Sequence, residues 1–383
     1  MPSSGFKLLN SDDKIDEEKL PWYSKDLYYP VRIGEVFRSR YQTLGKLGYG
    51  TRSTVWLGRG LHAHRYVALK VCERNEPAQR ELEVYSHLDS IATTHAGAHL
   101  TRELYDSFSI KTIGGDHLCL VHEPLGMSLK SLVELFPDEC MPEEILRPFV
   151  KCLLLALDCL HTVSKTVHTD LQSSNILIRS RDDEIFRAFE AAERTDPSPR
   201  KIDGDRIIYQ TRKLDRPKKV GFPVLCDFGE ARYWQVTYTD DVQPYQYRAP
   251  EVILDIPWSY EIDIWNVGVL IWSLFEGRNL FTGLGPAGEQ SNRSHLAEIQ
   301  AVLGQPPIEF LRRSAASWGY YDADDMWKDS HLIHDTTLES SETRLEGENK
   351  AIFLSFVRRM LCWLPEERAT AKQLLGDPWL KEP

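Results

Sequence analysis

The first third of the chain sets short apolar runs between glycines. Val55-Trp56-Leu57 and Tyr66-Val67-Ala68-Leu69 are rich in β-branched and aromatic residues, so the texture from Tyr41 to Val71 predicts strands. Over residues 76–90 the period changes. Leu82, Tyr85 and Leu88 fall three residues apart, which predicts a helix. Leu118 to Glu123 reads as another buried strand. Past Gly126 the character shifts again. Pro142-Glu143-Glu144 opens a helix with carboxylates in its first turn, where they complement the helix dipole. Leu146, Phe149, Val150, Leu153, Leu157 and Leu160 then follow as a helical apolar stripe. The expected class is α+β: a small β-rich part with one main helix, then a larger, mainly helical part. No internal repeat is visible.

Three segments stand outside this plan. Residues 1–40 begin polar, with Asp12, Asp13, Asp16, Glu17 and Glu18, and continue through an aromatic, proline-containing stretch from Pro21 to Pro30. They read as an extended arm with little regular structure of its own. Arg179 to Lys219 is charged and locally basic, with Asp196-Pro197-Ser198-Pro199-Arg200-Lys201 at its centre. It reads as an inserted loop with some helix at Glu184 to Glu193. Its basic patches, Pro199-Arg200-Lys201 and Arg216-Pro217-Lys218-Lys219, read as a plain surface loop before a nuclear address. Asp322 to Lys350 is acidic and weakly patterned and is expected to wrap the surface.

Composition narrows the class. The chain has 383 residues, 42% hydrophobic and 27% charged, with a formal net charge of -11. An acidic chain lacks the basic surface that neutralises phosphates, so direct nucleic-acid binding is not expected, whereas basic partners are permitted. The 7 cysteines include no C-x-x-C pair, which points to a reduced intracellular protein without a zinc site. No signal peptide is visible, and the longest apolar run, Val267 to Phe275, is too short to span a bilayer. The expectation is a soluble monomer of the cytoplasm and nucleus with no membrane association.

Several short motifs carry chemistry. Leu47-Gly48-Tyr49-Gly50 leads a β-turn whose glycines let backbone N–H groups approach phosphates, although glycines mark hairpins everywhere. Val67-Ala68-Leu69-Lys70 ends a buried strand on a lysine, a residue seldom buried unpaired; Glu81 is the helical carboxylate that could hold it. Alone, that lysine would be read as snorkelling to water. His168-Thr169-Asp170-Leu171-Gln172-Ser173-Ser174-Asn175 places a carboxylate and an amide five residues apart on a loop. The carboxylate can orient a hydroxyl and take its proton; the amide can ligate a metal. Asp227-Phe228-Gly229 follows the apolar strand Val224-Leu225-Cys226, and an Asp at a strand end is a natural ligand for a phosphate–Mg²⁺ complex. Tyr247-Arg248-Ala249-Pro250-Glu251 and Asp263-Ile264-Trp265-Asn266-Val267-Gly268 come next.

Each piece has an ordinary reading; the ordered set over residues 41–380 resembles the protein kinase signature. The resemblance implies a bilobal kinase fold: an arm at 1–40, an N-lobe at 41–124 and a C-lobe at 125–383. The C-lobe would carry a short spacer insert at 179–220 and a second insert at 281–313. It implies a serine/threonine kinase that takes ATP and Mg²⁺ and acts on a protein substrate. Lys70 would bind the α- and β-phosphates and pair with Glu81. Leu47, Gly48, Gly50, Val55 and Ala68 would line the nucleotide, and backbone groups of Glu123 and Leu125 would meet adenine. His122 would stand at the mouth of the adenine pocket, where an apolar residue is commoner. Asp170 would be the catalytic base, Asn175 and Asp227 the metal ligands, and Glu251 the partner of Arg368.

The subfamily can be read too. Tyr245 to Glu251 resembles the group of cyclin-dependent, MAP, LAMMER and SR-protein kinases. Ser-Thr-Val-Trp-Leu at 53–57, His-Thr-Asp at 168–170, Pro-Val-Arg-Ile-Gly-Glu at 30–35 and Pro-Glu-Glu-Arg-Ala-Thr-Ala at 365–371 resemble SR-protein kinases. The stretches His295-Leu296-Ala297-Glu298 and Leu303-Gly304-Gln305-Pro306-Pro307 resemble the helical insert those enzymes share with LAMMER kinases. Such enzymes phosphorylate serines in Arg/Ser-rich splicing factors. Glu289, Glu298 and Glu309 are candidates for docking an Arg-rich segment, with a solvated face as the plainer reading.

Three departures qualify the resemblance. Thr169 replaces the arginine that grips a phosphorylated activation segment, so activity without that phosphorylation is expected. Gln172, placed with the catalytic set, replaces a lysine that touches the γ-phosphate, at a cost in transition-state stabilisation. Asp-Phe-Gly matches LAMMER kinases better than SR-protein kinases. The alternatives are a pseudokinase scaffold with weak or no phosphotransfer, a LAMMER-type dual-specificity kinase and a small-molecule kinase. The Ala249-Pro250-Glu251 segment and the helix of Asp263 argue against the last.

Overall fold

The computed structural model describes residues 5–74, 78–216, 220–333 and 335–381. By contacts the chain divides into two compact units. The first is Met1–Ser86, Arg102–Met127 and Leu177–Phe222; the second is His87–Thr101, Ser128–Ile176 and Pro223–Pro383.

The first unit is built on an antiparallel sheet. Strands β1 (Val36–Phe37), β2 (Tyr41–Gly50), β3 (Ser53–Gly60), β4 (Arg65–Arg74), β5 (Leu104–Thr112) and β6 (Gly115–His122) lie in the order β1-β2-β3-β4-β6-β5. Alternation sorts the side chains. Trp56, Val67, Leu69 and Val71 go to one core, together with Phe108, Cys119 and Val121. The register Val55↔Lys70, Ala68↔His122 and Lys70↔Leu120 puts the other set on the opposite face. Helix α1 (Ala78–Asp89) is the expected main helix, and it buries Val84 and Tyr85.

The expected arm and insert are both present, but neither is loose. The arm has little regular structure: among the described residues, 3₁₀ turns at Asp16–Lys19 and Lys25–Leu27 and the two-residue strand β1. It nevertheless buries Tyr28 and Val31, and Val31 joins the core of Trp56 and Leu69. The insert holds helix α4 (Glu184–Thr195), close to the expected Glu184–Glu193, and a hairpin of β8 (Arg200–Asp203) and β9 (Arg206–Tyr209) that the sequence reading missed. Gly204 turns that hairpin at φ +63, a conformation glycine adopts freely. Ile185, Phe186 and Phe189 of α4 pack with Leu44, Leu57 and Tyr66 of the sheet. Gly45 allows this approach, since a Cβ there would meet Phe189 at 2.7 Å. The insert therefore clusters with the first unit. The expected division had grouped 179–220 with the helical part; by contacts the segment lies with the first unit, where the apolar face of α4 packs on β2, β3 and β4. Lys218 and Lys219 lie outside the described residues.

The second unit is helical. In α3 (Glu143–Asp158) and the π-helical turn Cys159–Ser164, all six residues of the expected stripe are buried: Leu146, Phe149, Val150, Leu153, Leu157 and Leu160. Helix α6 (Glu261–Glu276) is buried over nearly its whole length, as its apolar sequence requires. Trp272 of α6 stacks on Phe353 of α10 (Gly347–Arg358), Phe275 packs against the same ring at a tilt, and Phe353 meets Trp379. Between α6 and α10, helix α7 (Asn292–Leu303) buries His295, Leu296, Ala297 and Ile299. No helix among the described residues is long and apolar enough to cross a membrane.

Candidate active site

The expected site residues fall into two groups, one in each unit. In the first unit, β2 and β3 form a hairpin whose two-residue turn is Thr51-Arg52, closed by the pair Gly50↔Ser53. A Cβ on Gly48 would meet nothing within 4 Å, so the loop is open where a phosphate would approach. Lys70 Nζ donates to Glu81 Oε2 at 2.7 Å. With side-chain exposures of 15% and 4%, this is a largely desolvated ion pair, which holds the ammonium at the edge of the sheet face carrying Val55 and Ala68.

The strand end after β6 shows what sequence could not. Arg179 grips the Glu123 carboxylate through Nε and Nη2, both at 2.7 Å, and Arg102 donates twice to the Glu123 carbonyl. That carbonyl keeps at most one lone pair for a ligand. Leu125 is buried, and its backbone groups have no hydrogen-bond partner among the described residues. His122 is wholly buried against Tyr85, at a ring distance of 5.1 Å, and its Nδ1 lies 3.3 Å from the Glu103 carbonyl. Burial, with the charges of Arg102 and Lys70, holds its pKa well below the usual range, so the ring is neutral.

In the second unit the anchor is Asp263 on α6, fully buried. It accepts from the backbone N–H of His168 at 2.8 Å and of Thr169 at 2.9 Å, and from His161 Nε2 at 2.9 Å. These bonds hold Thr169 at φ +68, a conformation unusual for a β-branched residue. The His168 ring accepts from the Asp170 N–H through Nδ1 and lies 3.1 Å from the Cys226 carbonyl through Nε2. The loop is thereby tied to the strand that precedes Asp227.

Both oxygens of Asp170 are occupied. Oδ1 accepts from the Gln172 amide at 2.9 Å and Oδ2 from the Asn175 amide at 2.6 Å. Burial and the nearby charge of Asp227 raise the Asp170 pKa to about 7, against the lowering effect of the two amides. Asn175 spends its Nδ2 on Asp170; its Oδ1 accepts one long bond from the Ser174 hydroxyl, at 3.4 Å, and keeps a lone pair for a cation. An amide oxygen and the Asp227 carboxylate form an all-oxygen donor set that suits a hard divalent cation completed by phosphate and water. Gln172 does not stand free in the place of the missing lysine; it steadies the carboxylate.

The segment after Asp227 is held from within. Thr169 Oγ1 donates to the Glu230 carbonyl at 2.7 Å. Arg232, almost wholly buried, pairs with Asp240 at 2.9 Å and exchanges backbone hydrogen bonds with Val167. Glu251 and Arg368, both with fully buried side chains, form the expected two-point pair at 2.5 and 2.8 Å.

The sequence pattern of the protein kinase domain matches residues 41–380. The chain belongs to the protein kinase family. A serine/threonine protein kinase of Aspergillus fumigatus is 46% identical over 381 residues, covering 99% of this chain and 94% of that protein. The serine/threonine-protein kinase SRPK of Physarum polycephalum is 30% identical over 98% of this chain and 93% of its own length. Human SRSF protein kinase 3 is 23% identical over 97% and 92%. This kinase is thus a serine/threonine protein kinase of the SR-protein-kinase-like branch, with the α+β bilobal fold expected. Membership implies ATP, a divalent metal and a protein substrate.

Sequence reasoning had used the helix of Asp263 only to argue against a small-molecule kinase and missed that Asp263 anchors the catalytic loop. It also missed Arg102 and Arg179 at Glu123, because no local motif announces partners so distant in the chain. Glu298 has a structural role: from α7 its carboxylate accepts from the backbone N–H of Thr282 and Gly283 at 2.6 and 2.9 Å, so it ties that turn to the helix. Glu289 likewise accepts from Ala287 N, and of the three only Glu309 is exposed without a side-chain hydrogen bond among the described residues.

Proposed function

We propose that this kinase transfers the γ-phosphate of Mg-ATP to serines in basic, Arg/Ser-rich protein segments. The observation that carries the proposal is Asp170, a half-buried carboxylate fixed by the amides of Gln172 and Asn175, whose proton affinity is raised by burial and by Asp227. In the reaction the serine hydroxyl loses its proton to Asp170 as its oxygen attacks phosphorus, and ADP leaves. Asp170 positions that oxygen and receives the proton. Lys70, held by Glu81, places positive charge on the α- and β-phosphates. Asn175 Oδ1 and Asp227 would hold Mg²⁺, which when bound neutralises phosphate charge. Ala68, Val55 and Leu47 supply apolar walls, and Leu125 offers unspent backbone groups to adenine. The names of the Physarum and human relatives support the substrate class, and the net charge of -11 suits a basic partner.

Activity without activation-segment phosphorylation belongs to the same proposal. Elsewhere a phosphate orders such a segment by pairing with arginine. Here Asp240 pairs with Arg232, and Thr169 binds the Glu230 carbonyl. Transfer of labelled phosphate to an Arg/Ser-repeat peptide, to the same peptide with lysine for arginine, and to an acidic control tests the substrate class. The Arg/Ser peptide is expected to lead by kcat/KM, with an advantage that shrinks in salt. Equal rates on all three would remove the substrate assignment and leave the kinase.

A further inference from the structure

The nucleotide loop is gripped at both ends by segments that belong to no kinase motif. At its tip, the Thr51 carbonyl accepts from two arm residues, Trp22 through Nε1 at 3.0 Å and Tyr28 through its hydroxyl at 3.1 Å. The other turn carbonyl, Arg52, accepts from the Glu73 N–H of β4 at 2.9 Å. At its root, Lys46 on β2 has a side chain only 1% exposed. Its ammonium pairs with Asp16 at 3.1 Å and with Glu17, and donates to the Tyr209 carbonyl of the insert at 3.0 Å. Asp16 also accepts from Thr211 through backbone and hydroxyl. Arm, loop strand and insert thus meet on one buried lysine, immediately before Leu47-Gly48.

The physical consequence follows from the chain between these anchors. Gly48 has open space around its α-carbon and no side chain to pack, so the hairpin end has little of its own to fix its height. A desolvated lysine with two carboxylates and a carbonyl is costly to separate, so the root is firm. The tip depends on the arm. Trp22 is 55% exposed, and a lone surface hydrogen bond would matter little. Two donors converging on one carbonyl, from a segment that buries Tyr28 at 4% and Val31 at 2% exposure, are a different case. Tyr28 has one proton and a second acceptor in the Glu73 carboxylate, so Trp22 is the undivided donor.

We propose that Trp22 and Tyr28 are positioning residues for ATP: through Thr51 they set the height of the Gly48–Gly50 loop, so that docking of the N-terminal arm tunes nucleotide affinity. This rests on the reading of Gly48 and Gly50 as phosphate-covering residues. Ordering the loop in advance spares nucleotide the entropy of ordering it, so the gain should appear in binding and not in the chemical step.

The test is the double variant Trp22→Phe with Tyr28→Phe, which keeps both rings and deletes both donors. Mg-ADP affinity is measured by calorimetry, steady-state kinetics give ATP and peptide constants, and hydrogen exchange follows residues 48–54 in the ligand-free protein. The expected result is a rise of about three- to tenfold in the ADP Kd and the ATP KM together. The peptide KM and kcat should hold within about twofold, with faster exchange at 48–54. Unchanged ADP affinity and unchanged exchange would overturn the proposal. A change in kcat alone, with affinity intact, would overturn it too. Should the double variant fold poorly, Trp22→Phe alone alters only a half-exposed N–H and is read by the same measurements. Failure of the unaltered protein to bind ADP would refute the nucleotide-site reading instead, and the exchange rates would still judge the brace.

Discussion

The catalytic-loop half of the site residues and the nucleotide-loop half, one in each unit, are held in place by different means. Asp170 sits on a loop pinned from beneath by one buried carboxylate, Asp263, which takes two consecutive backbone N–H groups and a histidine. Its supports are motif residues and lie in the helical core. The glycine loop is held from outside, by Lys46, an N-terminal arm and an insert. The difference teaches where variation can act. Loosening the first half damages chemistry; loosening the second should mainly change affinity for nucleotide.

The largest expected effect breaks the first half. Asp263→Ala removes three hydrogen bonds at once and frees Thr169 from its strained conformation, so kcat should fall about 100-fold or more. Steady-state kinetics beside circular dichroism check this, and an equal fall in ATP affinity would blur the contrast between the halves. Next comes Gln172→Lys, which restores a cation where the family keeps one. Its charge can stabilise the migrating phosphoryl group, so kcat should rise about tenfold provided Asn175 alone still orients Asp170. A fall would mean that the Gln172 amide is worth more to Asp170 than the missing charge.

A smaller effect concerns stability, and it should look alike in both units. His295 is buried between Tyr245 and Phe281, and burial with the charge of Arg248 pushes its pKa from 6.5 down to about 3. Above pH 6.5 the ring is neutral folded or unfolded and adds no pH dependence. As pH falls below that, the unfolded chain takes a proton the fold refuses, and stability drops by about 1.4 kcal/mol per pH unit. His122 in the first unit is lowered for the same reason. Urea unfolding of His295→Phe between pH 7 and 5 should show a flatter acid slope than the parent; an identical slope would mean the imidazole is already charged in the fold.

The two halves were also unequally legible in the sequence. Lys70 with Glu81, Asp170 with Asn175, and Glu251 with Arg368 follow from short motifs, and all three pairs are in contact in the structure. The apolar stripe of α3 was equally readable, because a period near 3.6 survives any tertiary context. The arm and insert were not. Lys46 is one lysine among many, and nothing nearby in the chain says that Asp16 and Glu17 will bury it. The β8–β9 hairpin left a trace in Gly204 between isoleucine-bearing strands, but charged residues around it masked the alternation. Glu298 misled for the opposite reason, since an acidic residue on a helix looks free until the turn whose backbone it caps, Thr282-Gly283, is seen.

The central claim is that the catalytic half stands assembled without a phosphate, through Asp263, Thr169 and the Arg232–Asp240 pair. The direct measurement is the initial rate of labelled phosphate transfer from Mg-ATP to an Arg/Ser-repeat peptide. It compares phosphatase-treated protein, shown by mass to be unmodified, with Asp170→Ala and with the triple variant Thr237→Ala, Tyr238→Phe, Thr239→Ala. The prediction is turnover by the unmodified protein, kept within about twofold in the triple variant and lost in Asp170→Ala. Turnover that appears only after residues 237–239 are phosphorylated, or that survives in Asp170→Ala, would contradict it.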